Sequence, residues 1–104
     1  MTAEFLHSAA AHYYAYGLIG EYQLHWSEDG SGAIWSFEVY PQHQGQGHAK
    51  AMMAELLARH GDKRLTLIVK QGNAIAIALY RKFNFEIVSI DDLRDEFLMM
   101  RRAA

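Results

Sequence analysis

The most informative segment of the sequence is Phe37–Ala49, FEVYPQHQGQGHA. It runs from a β-prone, aromatic segment, through a proline and a glycine-rich turn, into the start of a helical pattern. Gly45 and Gly47 allow the backbone to turn tightly and to approach a ligand closely. The first amides of a helix have no partner inside the helix, and the helix dipole adds about half a positive charge there. The segment therefore predicts a cradle for an anion such as a pyrophosphate.

Patterns on both sides of this stretch predict a mixed α/β sheet with the order β-β-β-α-β-α-β-β. Residues 1–10 are compatible with a short helix or with the start of a strand. Asn73 is expected to cap the second helix, and Asn84 to adopt the left-handed conformation at its end. The apolar run at residues 65–70 is typical of a central strand covered on both faces. The predicted strands are His12–Tyr16, Leu18–Trp26, Ala33–Tyr40, Leu65–Lys70, Phe85–Ile90 and Phe97–Arg101, and the predicted helices are Ala49–His60 and Ala74–Phe83.

Length and composition predict one globular domain over residues 1–104. Apolar residues make up 51% of the 104 residues, which is too many for a disordered chain. Cysteine is absent, so a thiolate nucleophile, a disulfide scaffold and a cysteine metal site are excluded. The six histidines show no metal-ligand spacing, and we expect no metal. No membrane span or leader is evident, so a cytoplasmic location without membrane contact is expected.

The charge is unevenly distributed along the chain. Residues 41–82 hold seven basic and two acidic side chains, a balance of +5, whereas the remainder is −7. A basic segment suits a phosphate-bearing ligand and an acidic remainder suits a cationic partner, although scatter over a solvated surface is the simpler alternative. Nucleic acid is not expected as a partner, because the net charge is −2 and no basic stripe is interleaved with aromatics.

Two segments together carry a family resemblance. Gln44–Ala49 fits Gln/Arg-x-x-Gly-x-Gly/Ala and follows Val39-x-Pro41, but it fits neither a Rossmann fingerprint nor a P-loop. One strand later comes Asn73–Phe85, NAIAIALYRKFNF, which is similar to Asn-x-x-Ala-x-x-Leu-Tyr-x-Lys-x-Gly-Phe. In this order the two segments resemble the acetyl-CoA loop and the second motif of the GNAT superfamily of N-acetyltransferases. The resemblance covers about residues 12–100.

The resemblance implies a site for acetyl-CoA between two splayed strands, the central pair of a mostly antiparallel sheet of about six strands. Backbone groups of Phe37 and Val39 would bind the pantetheine arm, and Asn73 would contact it. Tyr80 would protonate the leaving thiolate, although a packed aromatic with a satisfied hydroxyl is the plain alternative. Strand alternation predicts that Ala33, Trp35, Phe37 and Val39 share one face. The pyrophosphate would bind the amides of Gln44, Gly45, Gln46, Gly47, His48 and Ala49.

The sequence also departs from the family pattern. The first strand and the two helices that shape the acceptor site in relatives are expected to be missing or reduced to residues 1–11. This leaves either an open cleft or one that a partner subunit completes, so a homodimer stays open. Asn84 replaces the usual glycine of the second motif, which is a mild change because both residues tolerate positive φ.

The sequence has no clear counterpart of the general base that relatives use. Ile68 stands where relatives that acetylate protein N-termini often carry Glu, and Glu38 is expected to point away from the active face. A water chain or an amine that is already neutral would serve equally well. The side-chain candidates lie on the preceding strand and are Glu21, Tyr22 and His25.

The resemblance implies an N-acetyltransferase in which a primary amine attacks the acetyl-CoA thioester directly. A covalent acetyl-enzyme is not expected because the chain has no cysteine. The expected acceptor is a protein lysine, a protein N-terminus or a small cationic amine. The alternative is a catalytically inactive acyl-CoA sensor or protein-interaction module.

Overall fold

The computed structural model describes residues 5–14 and 17–104. Six strands and two α-helices follow one another in the predicted order, with a 3₁₀ turn over Pro41–His43. The strands are β1 (Phe5–Tyr14), β2 (Leu18–Ser27), β3 (Gly32–Val39), β4 (Leu65–Lys70), β5 (Glu86–Asp91) and β6 (Glu96–Arg101), and the helices are α1 (His48–His60) and α2 (Ala74–Lys82).

The strands form one sheet in the order β1-β2-β3-β4-β6-β5. Every neighbouring pair is antiparallel except β3 and β4, which are parallel. A parallel pair needs a long crossover between its strands, and α1 supplies it. This confirms the predicted fold class.

Both helices pack on the same face of the sheet. The buried core joins α1 and α2 to alternate residues of the central strands. On β4, Leu65, Leu67 and Val69 are buried, whereas the Ile68 side chain is 60% exposed. The expectation that β4 is covered on both faces is therefore wrong, because no helix in the described residues packs against its second face. An apolar run did not distinguish a strand buried on two faces from one that alternates.

A bulge in β3 breaks the strand alternation. Trp35 pairs with Gln23 and Glu38 pairs with Glu21, so three steps on β3 match two on β2. The additional residue is accommodated at Ser36, whose φ is +55°. The predicted common face of Ala33, Trp35, Phe37 and Val39 is therefore wrong.

Helix ends follow the sequence signals. The Asn73 side chain accepts a hydrogen bond of 3.2 Å from the Ala76 amide, which caps α2. After the helix, Asn84 has φ +71°, and the Phe85 amide donates to the Tyr80 carbonyl at 3.1 Å. This closing bond is typical of a left-handed C-terminal cap. Both asparagine predictions are confirmed.

The first strand begins earlier than predicted. β1 starts at Phe5, so the alanine-rich run continues as strand, because a ladder to β2 satisfies its backbone groups. Tyr14 ends the strand, and residues 15–16 of the predicted strand lie outside the described residues. Neither helix in the part of the chain that the structure describes is long and apolar enough to cross a bilayer.

Candidate functional site

The site begins where β3 and β4 separate. Their parallel ladder pairs Gly32 with Leu65, Ala33 with Thr66 and Ile34 with Leu67, and it then stops. The bulge at Ser36, two residues after the last pair, turns β3 away from β4. We call the opening beyond Ile34 and Leu67 the splay. It leaves backbone groups of β3 facing a gap instead of a strand.

The ladder to β2 shows which groups of β3 face the splay. The Tyr40 amide donates to the Ile19 carbonyl at 2.9 Å, so Tyr40 directs its backbone toward β2. Backbone direction alternates along a strand, and therefore the amides of Phe37 and Val39 point into the splay. The Val39 carbonyl accepts a hydrogen bond of 2.9 Å from Gln44 Nε2. That bond fastens the glycine-rich loop to the end of β3 and leaves the Val39 amide at the splay.

The loop after β3 presents backbone amides. Gly45 and Gly47 have φ of +77° and +83°, values that favour glycine. The first intrahelical bond of α1 runs from the Ala51 amide to the Gly47 carbonyl at 3.3 Å. The amides of residues 48–50 therefore precede the helical ladder and have no partner inside α1. These amides and the positive end of the helix dipole favour an anion at this position.

The second motif meets this loop across the splay. Asn73 and Tyr80 lie on α2 and its cap, while the loop belongs to α1, and β4 separates the two helices in sequence. All of them line one groove of about 480 Å³, which we call the central groove. Its lining consists of Phe37, Glu38, Val39, His43, Gln44, Gly45, Gly47, His48, Ala49, Asn73, Ile75, Ala76, Leu79 and Tyr80. Of the predicted site residues, only Gln46 is not part of this lining.

A second cavity of about 260 Å³ continues the groove into the splay. Phe37, Asn73 and Tyr80 line both cavities, so they stand at the junction. Ser36 and Ile68 line the second cavity from either side of the gap. A linear molecule could therefore extend from the α1 N-terminus, past Tyr80, into the sheet.

Tyr80 lies at this junction with a packed ring. The side chain is 8% exposed, and its ring lies edge-on to Phe37 and Phe85. Burial raises the pKa of the Tyr80 phenol above its usual value. The phenol therefore stays protonated at neutral pH, which is the state that a proton donor requires.

The helix-free face of the sheet carries polar and aromatic side chains beside the splay. We define it by Glu21, Gln23, His25, Trp35, Glu38 and Ile68. The His25 and Trp35 rings are 3.7 Å apart between centroids. Glu21 and Glu38 are direct cross-strand partners, and His12 Nδ1 lies 3.8 Å from Glu21 Oε2. Because the bulge shifts the alternation, Glu38 shares this face with Trp35 instead of pointing away from it.

The structure places the predicted candidates for the general base on two different faces of the sheet. Glu21 and His25 lie on the helix-free face, as the alternation of β2 requires. Tyr22 is 4% exposed on the opposite face, where its ring stacks on Phe37 at 6.2 Å. Burial, the largest influence, raises the pKa of the Tyr22 phenol, which disfavours its ionised form. Strict strand alternation had excluded Glu38 as a general base. The bulge at Ser36, which the sequence does not reveal, puts the Glu38 side chain on the helix-free face and makes it a candidate.

His43 was also missed as a residue of the groove. It ends the 3₁₀ turn, and its ring centroid lies 6.3 Å from that of His48. The sequence offered one signal, since His43 and His48 flank the glycine-rich loop. Over residues 5–14 and 17–104, no three His, Asp or Glu side chains come together as a metal site.

A sequence model of the acetyltransferase (GNAT) family matches residues 4–85. The chain belongs to the GNAT family. The spermine/spermidine N(1)-acetyltransferase of Bacillus subtilis (strain 168) is 29% identical over 92 residues, which cover 83% of this GNAT chain and 59% of the relative. The chain thus spans about three fifths of the length of that relative.

Solved structures show the same fold. The ribosomal-protein-S18-alanine N-acetyltransferase of Escherichia coli has a TM-score of 0.80 at 18% identity, with 97% of this chain and 72% of that chain covered. The PaiA N-acetyltransferase of Thermoplasma acidophilum, solved in complex with coenzyme A, has a TM-score of 0.70 at 18% identity and covers 91% of this chain and 60% of that chain. The predicted family and fold are confirmed.

Proposed function

We propose that this GNAT domain binds acetyl-CoA in the central groove and transfers the acetyl group to a primary amine. One observation carries the proposal. The first residues of α1, whose amides lack helical partners, and Tyr80 come from separate motifs and line the same groove at the splay. The coenzyme A bound to the PaiA relative supports the choice of donor.

Backbone amides bind the donor, and Tyr80 supplies a proton. The loop amides hold the diphosphate, and the amides of Phe37 and Val39 bind the pantetheine arm along the splay. The amine nitrogen bonds to the thioester carbonyl carbon, and the carbon–sulfur bond then breaks. A backbone amide of β3 near Val39 stabilises the oxyanion that forms in between. Tyr80 donates its proton to the departing sulfur and regains one from the solvent, while the attacking amine loses a proton.

The acceptor approaches from the helix-free face, where it meets carboxylates. Glu21 and Glu38 face each other on antiparallel strands, an arrangement that destabilises a sheet unless a cation lies between the charges. Local desolvation, followed by the charges of Glu21 and Glu38, raises the pKa of the nearby Tyr40 phenol. This acidic environment favours a cationic amine over a neutral one.

A polyamine is the acceptor class that we favour. The Bacillus subtilis relative is named a spermine/spermidine acetyltransferase, and a polyamine offers a second cation for Glu21 while its terminal nitrogen reaches the splay. Glu38 is closer to the splay along β3 and is our candidate for the group that accepts the proton of the amine. Two alternatives stay predictions. One is a protein lysine or N-terminus as acceptor, and the other is a homodimer that completes the open face.

Release of free coenzyme A thiol from acetyl-CoA tests the proposal. The acceptor panel consists of spermidine, spermine, a lysine peptide with a blocked N-terminus, and a lysine-free peptide with a free N-terminus. We expect thiol release with a polyamine and a product heavier by one acetyl group. Binding of acetyl-CoA without thiol release from any acceptor would favour the inactive sensor module instead.

A further inference from the structure

The glycine-rich loop holds two histidines beside the predicted diphosphate position. His43 ends the 3₁₀ turn before the loop, and His48 is the first residue of α1 after it. Both rings line the central groove, half-buried, with 6.3 Å between centroids and planes nearly perpendicular. Arginine and lysine are absent from residues 41–49, so these imidazoles are the ionisable nitrogens of the loop.

We infer that His43 and His48 bind the diphosphate of the donor in their protonated form, so that donor binding takes up protons. The inference rests on the proposed function, because it assumes that the groove takes this donor. Histidine is the side chain that ordinarily changes charge between pH 5 and 8, and an adjacent anion favours its charged form. A diphosphate bound beside both rings favours their charged form, so the charge of the pair depends on the donor.

Other ionisable groups around the pair are few among the described residues. Tyr13 of β1 contacts His48, with 6.1 Å between the ring centroids. Glu38 of β3 and Tyr80 of α2 line the same groove. Lys50 lies two residues beyond His48 on α1 and is exposed. Of these, only Glu38 carries a carboxyl group, and its side chain belongs to the helix-free face. A change in the charge of the histidine pair on binding is therefore caused by the ligand.

The test measures the dissociation constant of dephospho-CoA by calorimetry from pH 5.5 to 8.0. Dephospho-CoA lacks the 3′-phosphate of coenzyme A, a monoester that itself titrates near pH 6 and would confuse the result. We expect binding to tighten by about tenfold for each histidine as the pH falls through this range. The double variant His43→Gln/His48→Gln should bind with nearly the same affinity at both ends of the range.

Two further variants sharpen the test. His43→Arg keeps a positive charge at every pH, so it should restore tight binding at pH 8.0 and flatten the dependence. His12→Gln removes an exposed histidine on the helix-free face and should bind as the wild type does at each pH. Thermal unfolding of each variant shows that it is folded.

The outcomes separate this inference from the proposed function. Binding that is independent of pH in the wild type overturns the role of the histidines and leaves the proposed function intact. A pH dependence that persists in the double variant also overturns it. Absence of dephospho-CoA and acetyl-CoA binding at every pH overturns the proposed function and this inference together.

Discussion

The ring of Phe37 on β3 lies between two phenols, edge-on to Tyr80 at 6.1 Å and stacked on Tyr22 at 6.2 Å. Only Tyr80 also lines the central groove. The two tyrosines have similar burial and a common neighbour but differ in access to the proposed reaction. Replacing each tyrosine by phenylalanine therefore gives a matched pair of variants.

Tyr80→Phe should lower kcat by about 100-fold, since a positioned proton donor contributes at least that much. The dissociation constant of acetyl-CoA should change by less than about twofold, because the ring remains in place. Tyr22→Phe should leave kcat near the wild-type value. Steady-state turnover with spermidine, together with acetyl-CoA calorimetry, checks both variants, and wild-type kcat in Tyr80→Phe would refute the acid role.

The same burial predicts loss of stability in alkali. Because burial raises the pKa of Tyr80 in the folded state, its contribution to stability is complete below the ordinary pKa of 10.0 and is lost as pH rises through the folded value. The free energy of unfolding of the wild type should therefore fall more between pH 9 and pH 11 than that of Tyr80→Phe. Urea denaturation at both pH values measures this. Equal losses would mean that Tyr80 does not contribute to the alkaline transition.

Gly47→Glu should abolish donor binding. A side chain at φ +83° is strained, and a carboxylate beside the diphosphate adds repulsion of several kcal/mol, which weakens binding by at least about 100-fold. Gly30 has φ +84° in the turn between β2 and β3, outside the groove. Gly30→Glu should therefore lose similar stability while it retains the donor affinity of the wild type. Calorimetry with acetyl-CoA distinguishes strain from a site effect, and unchanged affinity in Gly47→Glu would mean that the loop does not hold the diphosphate.

Asn73 has a structural role that can be separated from a role in binding. Asn73→Ala removes the bond to the Ala76 amide and should cost about 1 kcal/mol of stability. Asn73→Asp keeps the capping oxygen, so its stability should match the wild type, but it exchanges the amide for a carboxylate beside the donor. We expect acetyl-CoA to bind this variant about tenfold more weakly. Unchanged affinity in Asn73→Asp would limit Asn73 to capping.

Glu38→Gln should lower kcat/KM for spermidine by about 100-fold and leave acetyl-CoA affinity unchanged, because the carboxylate faces the acceptor side. The loss should shrink as pH rises, since more of the amine is then already neutral. Glu86→Gln, which alters an exposed carboxylate on β5, is the control. Initial rates from pH 7 to 10 measure the effect, and a pH-independent loss would argue for binding of the cation instead of proton transfer.

Local chemistry accounts for what the sequence could predict. The sequence predicted the local backbone structure correctly at four positions, because each residue satisfies a requirement of its own turn or helix end. These positions are Gly45, Gly47, Asn73 and Asn84. The order of elements followed from periodicity between these signals. The convergence of the two motifs on one groove was implied by the resemblance and agrees with the geometry.

The features that the sequence did not predict depend on contacts between distant elements. The bulge at Ser36 reflects how β2 and the splay constrain β3, and serine has no preference that reveals a positive φ. It reversed the expected orientation of Glu38. Likewise, the exposure of Ile68 depends on which face the helices cover, which a single apolar run does not determine.

The most direct test of the central claim is thermal unfolding with and without saturating acetyl-CoA. A ligand at about 100 times its dissociation constant stabilises the fold by about 2.7 kcal/mol, which raises the midpoint of a domain of this size by several degrees. We expect such a rise in the wild type and none in Gly47→Glu. An unchanged midpoint in the wild type at saturating acetyl-CoA would contradict it.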